Sequence, residues 1–466
     1  MKDLILKNGR VVTPTQVIEG GVVVHNGVIE FVGADSELGR AHQEIDVKGM
    51  IIFPGMMDPH CHLGSGDERS FEFMKESFAQ DTQDALIGGV TSIATTTVLK
   101  PDPLPENYKN TLEAGVGQSH VDFKITSVVT RDHHVADIPE VMELGCSSFK
   151  FYTGYCGCLA EKMGMNPDGI PPSVFYQACE FASQSSRPRP IMMIHAEEPT
   201  VRFMLADRFK ESGKNTLLDW AEHSPEWSES VQVYQYGVIA HQFHLPLYVV
   251  HISKAHTIDF IRGLQQQGYP IVGETLVSFL STTAQDLMDR KVGIYGKIQP
   301  PIRYHSDQEV LWKSLVDGVV TAIGTDSIPY TSKYKDHFPF WEARPGLNIQ
   351  LLDSLPLLLT EGIHKGRLDY LQLAKVVAEG PARHFSVFPQ KGAIQPGSDA
   401  DFIVIDPDKE YPLGRHRSLG HNDYSIWEGK KVKGEVVQTF LRGQLVAQQG
   451  EIVSHAKGEH LKGGRI

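Results

Sequence analysis

Hydrophobic and polar positions are arranged in two different ways along this chain. Over residues 1–50, short β-like runs (Leu4-Ile5-Leu6, Val11-Val12, Val22-Val23-Val24, Val28-Ile29) are separated by turn signals that include Asn8-Gly9 and Asn26-Gly27. Asn-Gly between such runs is a strong hairpin signal. The same texture returns at Ala400 to Asp406 and Val436 to Val446, which predicts one small β-sandwich domain built from both chain ends. Between the ends, apolar runs alternate with longer amphipathic stretches such as Asp81 to Gly88 and Val310 to Leu315, the pattern of βαβ units. The candidate strands open with Ile51-Ile52-Phe53 and continue as Val90 to Ala94, Asp122 to Thr126, Ser148 to Phe151, Ile191 to His195, Leu247 to His251, Ile271 to Glu274 and Thr321 to Asp326. Parallel strands in that number, with every right-handed crossover placing its helix outside, close into a (β/α)8 TIM barrel. The expected division is 1–52 and 389–450 for the two parts of the β-sandwich domain, 53–388 for the barrel and 451–466 for a C-terminal tail. Gly458 to Ile466 have little to bury and are expected to be loose.

Composition narrows the class. A chain of 466 residues with 41% hydrophobic and 22% charged residues is that of a globular protein with a large core. The formal net charge of −13 disfavours nucleic acid or an anionic membrane surface, both of which are bound by concentrated Lys and Arg. Cys61, Cys146, Cys156, Cys158 and Cys179 show no repeated spacing, so no disulfide framework is expected. The amino terminus breaks its apolar run after Leu4-Ile5-Leu6, too early for a secretory signal. A cytoplasmic enzyme acting on a small molecule is the expectation.

Several barrel runs end in a residue able to hold a metal ion. His60-Cys61-His62 follows the first run, and Lys150, His195, His251 and Asp326 lie at the ends of others. Residues at the carboxyl ends of barrel strands face the active-site mouth, so the six together point to metal-dependent hydrolysis. On a strand, residues i and i+2 face the same side, which lets His60 and His62 grip one ion. Asp58 is placed to take the second ring proton of a ligand histidine, and Asp326 could ligate an ion while accepting a proton from the attacking water. Taken singly, His195 and His251 read equally well as satisfied core histidines. Lys150 needs a further step, because an ammonium has no lone pair. Burial favours the neutral amine, which carbon dioxide converts to a carbamate whose two oxygens can bridge two ions. A salt-bridged barrel lysine is the competing reading.

The pattern Pro54-Gly55-x-x-Asp58-x-His60-x-His62, the strand-end Lys150, His195, His251 and Asp326, and the closing Lys391-Gly392-x-Ile394-x-Pro396-Gly397-Ser398-Asp399-Ala400-Asp401 resemble the cyclic amidohydrolases over nearly the whole chain. The nearest branch is the hydantoinase and dihydropyrimidinase group, and Asp423-Tyr424-Ser425-x-x-Glu428-Gly429 agrees with it. The resemblance implies that Lys150 is an N6-carboxylysine bridging two divalent ions, usually zinc, with manganese as an alternative. His60, His62, Asp326 and Lys150 would hold one ion, and Lys150, His195 and His251 the other. It further implies hydrolytic opening of a cyclic amide, with Asp326 moving the proton and Tyr155 hydrogen-bonded to the substrate oxygen. Tyr152 competes for that last role. A homotetramer is also implied.

Some positions depart from the branch. Gly64 stands where dihydroorotases carry an arginine two residues after the His-x-His pair, so a clamp for a substrate carboxylate is missing there. Glu274-Thr275-Leu276-Val277-Ser278-Phe279-Leu280 replaces Glu-Thr-Cys-Pro-Gln-Tyr-Leu, Gln299 replaces the Ser before Pro-Pro, and Glu342-Ala343 replaces Asn-Gly. The resemblance places Gln299 and Glu342 at the substrate ring, partly through backbone groups, which leaves open hydantoin, dihydropyrimidine, allantoin and cyclic imides. A non-catalytic scaffold is the reading of a different class, and the intact ligand set opposes it. Loops containing Gly64-Ser65-Gly66-Asp67 and Cys156-Gly157-Cys158-Leu159 are expected to cover the site. Cys156 and Cys158 lack a partner pair for metal binding.

Overall fold

The computed structural model describes residues 2–66, 69–97, 103–162, 164–184, 189–348, 350–455 and 457–462. Within them, an eight-stranded sheet runs in chain order through Met56–Cys61, Val90–Thr96, Asp122–Val128, Ser148–Phe151, Ile191–Ile194, Leu247–Val249, Ile271–Leu276 and Val320–Gly324. Neighbouring strands pair in parallel throughout. Val90–Thr96 and Asp122–Val128 are buried at every position, as expected of parallel strands covered on both faces. The first and last strands meet where the Asp326 N–H donates to His60 O (2.8 Å) and the His62 N–H to Ser327 O (2.8 Å). Helices Phe71–Ile87, Leu104–Gly115, Ile138–Glu143, Pro172–Ser183, Ser228–Gln242, Ala255–Gln266, His305–Val316 and Gln350–Leu358 follow the eight strands in turn. This is the (β/α)8 barrel expected from the patterning.

Both chain ends contribute to one nine-stranded mixed sheet. Ile51–Pro54 pairs in parallel with Lys2–Val12 and antiparallel with Phe402–Pro412, and that contact joins the two ends. Leu4, Leu6, Val22, Val24, Phe402 and Phe440 pack together in its core.

Three sequence expectations are corrected here. The run Ile51-Ile52-Phe53 belongs to the mixed sheet, and the barrel opens instead at Met56–Cys61. Pro54-Gly55 separates the two strands, and a Cβ on Gly55 would lie 2.2 Å from the Thr91 hydroxyl oxygen, so only glycine lets the chain pass this close to the second barrel strand. Asn26-Gly27 does turn a hairpin, with His25 opposite Val28. Asn8-Gly9 does not: Asn8 (φ 58°) marks an irregularity inside the single strand Lys2–Val12. Finally, residues 458–462 are not loose. Phe123 N–H donates to Glu459 O (2.9 Å) and Leu461 N–H to Phe123 O (2.8 Å), which adds a short strand-like segment beside Asp122–Val128.

A buried ion cluster fastens the mixed sheet to the barrel. Lys391 Nζ contacts Asp122 at the start of the third barrel strand, Asp401 (2.6 Å) and Asp399 (2.8 Å), and Arg442 Nη1 lies 2.7 Å from both Asp122 oxygens. The three carboxylates converge closely enough to hold a metal ion. The Lys391 ammonium and the Arg442 guanidinium already neutralise them, so the cluster reads as a structural staple.

Candidate metal centre and active site

All six candidate ligands meet at the carboxyl end of the barrel. His62 Nε2 lies 2.9 Å and His60 Nε2 3.4 Å from Asp326 Oδ1, and Lys150 Nζ lies 3.3 Å from His60 Nε2. The His251 ring centroid is 4.5 Å from that of His195 and 5.6 Å from that of His60. His251 (φ 41°) and Asp326 (φ 50°) both adopt the left-handed backbone region, which costs a non-glycine residue about 1 to 3 kcal/mol and clusters at functional sites. The surrounding hydrogen bonds hold them there: Glu274 Oε1 accepts the His251 N–H (3.1 Å) and His60 O accepts the Asp326 N–H.

Carboxylate partners fix the tautomers of two imidazoles. His60 Nδ1 lies 3.1 Å from Glu274 Oε1 and His195 Nε2 lies 2.9 Å from Glu197 Oε2. A carboxylate only accepts, so these nitrogens carry the protons, and lone pairs are left on His60 Nε2 and His195 Nδ1. His62 Nδ1 is held by the Thr96 hydroxyl at 2.6 Å, which leaves His62 Nε2 towards Asp326. Glu274 is thus the acceptor that the sequence reading assigned to Asp58. Asp58 instead accepts from the Thr325 N–H (3.0 Å), the Thr325 hydroxyl (2.6 Å) and the His60 N–H (3.3 Å), and so braces the backbone on both sides of the barrel closure. Glu274, Glu197 and Thr96 were missed as functional residues. The signal for Glu274 was present, since it too stands near the carboxyl end of an apolar strand.

The donor set fits divalent cations. His60, His62 and Asp326 present ligand atoms within 4.8 Å of one another, and His251 Nδ1 is buried with no hydrogen-bond partner. Lys150 has no exposed surface, and burial pushes its amine down to about 7 against the opposing pull of Asp326 and Glu274. The Asp326 carboxyl is pushed up by burial, but His60, His62 and Lys150 outweigh this and hold it below the usual carboxylate range.

The other predicted site residues are placed unequally. Tyr155 lies against His195, ring centroids 4.8 Å apart, whereas Tyr152 stacks on His62 at 6.5 Å. Burial raises the pKa of both phenols, so both are hydrogen-bond donors at neutral pH. Gln299 is buried and its amide nitrogen donates to Glu197, while its Oε1 has no partner. The Glu342 side chain is exposed and 3.4 Å from Lys210 Nζ, so a contact to substrate from this position would have to come from its backbone. Of the expected covering loops, Asp67 and the Cys158 side chain lie outside the described residues.

An eight-stranded barrel with clustered imidazole, carboxylate and buried amine groups at its carboxyl end defines a metal-dependent hydrolase. The model of the amidohydrolase family matches residues 51–446. The chain belongs to this family. An L-hydantoinase from Paenarthrobacter aurescens is 26% identical over 97% of this chain and 96% of its own, and an allantoinase from Rubrobacter xylanophilus is 28% identical over 99% and 97%. The solved L-hydantoinase (dihydropyrimidinase) from Arthrobacter aurescens superposes with a TM-score of 0.90 at 26% identity, covering 99% of this chain and 100% of that one. No helix among the described residues is long and apolar enough to cross a membrane.

Proposed function

We propose that this chain hydrolyses the ring amide bond of a cyclic ureide or imide, with hydantoins and dihydropyrimidines as the leading substrate class. The observation that carries this reading is the convergence of His60, His62, Lys150, His195, His251 and Asp326 beside the buried phenol of Tyr155. His60, His62 and Asp326 would hold one divalent cation, His195 and His251 the other, and Lys150, as its carbamate, both. Zinc is the expected ion, because imidazole-rich donor sets suit it. When bound, the ions supply Lewis acidity and make a coordinated water acidic near neutrality.

The chain's own residues divide the remaining work. Asp326 is the most exposed of the six ligand side chains at 12%, against 8% for His62 and 0 to 3% for Lys150, His60, His195 and His251, so its carboxylate is the acid-base group turned towards water and substrate. It takes the proton of the attacking water and returns it to the departing ring nitrogen, one group serving both half-steps. Tyr155 donates its phenolic proton in a hydrogen bond to the carbonyl oxygen as negative charge develops there, a contribution worth about 3 to 4 kcal/mol per donor in other enzymes. Gln299 ties one amide N–H to Glu197 and keeps its oxygen without a partner, and an N–H of a ureide or imide ring matches that acceptor.

A panel of hydantoin, dihydrouracil, allantoin and succinimide, assayed with zinc or manganese and bicarbonate, tests the reading. Fastest opening of hydantoin or dihydrouracil supports it, and absence of ring opening by enzyme carrying two ions per chain rejects it. A homotetramer and a cytoplasmic setting go with this reading, to be checked by light scattering and by fractionation.

A further inference from the structure

Glu197 stands two residues after His195 and has no exposed surface. Its Oε2 accepts from His195 Nε2 and from the Gln299 amide, and its Oε1 accepts from the Ser224 hydroxyl (2.6 Å). Two buried arginines flank it, Arg202 Nε at 3.9 Å and Arg303 Nη2 at 4.0 Å. Three hydrogen-bond donors and two flanking guanidinium groups make Glu197 an acceptor, which keeps the His195 proton on Nε2.

Arg202 reaches a second part of the site. Its Nη2 donates to Gly154 O (2.6 Å), and its guanidinium carbon lies 5.7 Å from the Tyr155 ring centroid. The Thr153 hydroxyl donates to His195 O (2.6 Å), and a Cβ on Gly154 would lie 2.3 Å from His195 Cδ2. The loop Thr153-Gly154-Tyr155 is therefore pressed onto the same Cδ2–Nε2 edge of His195 that Glu197 holds.

Resting on the metal-hydrolase reading above, we propose that Glu197 is a positioning residue. It fixes His195 as an Nδ1 metal ligand and, through Arg202, fixes the loop that carries Tyr155. The geometry separates two consequences. Losing the carboxylate releases the imidazole and weakens the ion held by His195 and His251. Losing Arg202 leaves the imidazole oriented but frees the Gly154 carbonyl, and with it the phenol.

Chelator competition and metal analysis on Glu197→Gln, Glu197→Asp and Arg202→Met test the hold on the metal without any substrate, and steady-state kinetics of Arg202→Met test the hold on the Tyr155 loop. Against a wild type holding two ions, Glu197→Gln should bind one of them about 10- to 100-fold more weakly, the range for losing a group that orients a ligand histidine. Glu197→Asp should recover part of that loss because it keeps an acceptor. Arg202→Met should retain both ions yet lose kcat with little change in KM, as expected when a contact made in the transition state is lost. Wild-type affinity for both ions in Glu197→Gln overturns the proposal. So does equal metal loss in all three variants, which would mark the cluster as ordinary packing. A wild type that binds two ions but opens no ring would reject the proposed function and leave standing the metal-positioning role of Glu197, which chelator competition reads by itself.

Discussion

Lys150 Nζ lies 3.3 Å from His60 Nε2, and neither side chain is more than 1% exposed. A lysine ammonium at that distance would compete with any cation for the same lone pair. Burial instead brings the amine down to about 7, so above that pH it is mostly neutral and can add carbon dioxide. Lys150→Ala should therefore lose both ions together, because one bridging group serves both. Two ions per chain by elemental analysis would sink the bridging role, and partial rescue by a short carboxylic acid would support it.

The same amine sets a pH dependence. In metal-free, decarboxylated enzyme supplied with bicarbonate and metal, the protonated amine predominates below its pKa and cannot attack carbon dioxide. With dissolved carbon dioxide held at one concentration across the series, recovery of activity should accelerate as pH rises from about 6 through about 7 and level off beyond, following the burial-lowered pKa. A recovery rate that is flat across that window would argue against carbamate formation on Lys150.

Asp326 is both a candidate ligand of the cluster and its most exposed member. Asp326→Asn keeps the shape and one oxygen but cannot take a proton, so kcat should fall by at least about 100-fold, the low end for general acid-base groups. Thermal stability and most of the metal should survive. Near wild-type turnover in steady-state kinetics would assign the base to another group.

The barrel was legible because strands such as Ile191–Ile194 and Leu247–Val249, buried on both faces, read as apolar runs, and the candidate ligands because they sit near the ends of strands. What the sequence hid was pairing. Ile51-Ile52-Phe53 looks like any barrel strand, and only its partners Phe402 to Ile405 place it in the other sheet. Asp58 and Glu274 show the same limit: two residues from His60, Asp58 is the obvious ring partner by proximity in sequence, yet Glu274, 214 residues away, makes the contact. Gly458 to Leu461 read as a tail because their backbone hydrogen bonds to Ser119 and Phe123 leave no hydrophobic signature.

Lys391 is 2% exposed and meets three carboxylates that join the barrel to the mixed sheet. Lys391→Met would leave Asp122, Asp399 and Asp401 with Arg442 as the remaining nearby cation. Breaking a buried ion pair from one side costs about 3 to 5 kcal/mol, and chemical denaturation should register a loss of that order. A loss below about 1 kcal/mol, the level of an exposed ion pair, would show that Arg442 neutralises the cluster alone.

Tyr155 is buried and Tyr152 half-buried, and their ring centroids are only 6.0 Å apart, so proximity to the site does not separate them. Their neighbours do. Tyr155 lies on His195 and is held through the Gly154 carbonyl by Arg202, whereas Tyr152 lies over His62 with Lys150 Nζ 5.6 Å from its ring centroid. Phenylalanine removes the hydroxyl and keeps the ring's packing at either position. If Tyr155 donates to the developing oxyanion, Tyr155→Phe should lower kcat and kcat/KM together by about 100- to 1,000-fold. Tyr152→Phe should cost far less, because its ring chiefly packs beside the metal ligands. Steady-state kinetics of the two variants on one ring substrate decide the assignment. A larger loss in Tyr152→Phe would move the donor to the His62 side of the site, while the ligand geometry around Asp326 would still describe a metal-dependent hydrolase.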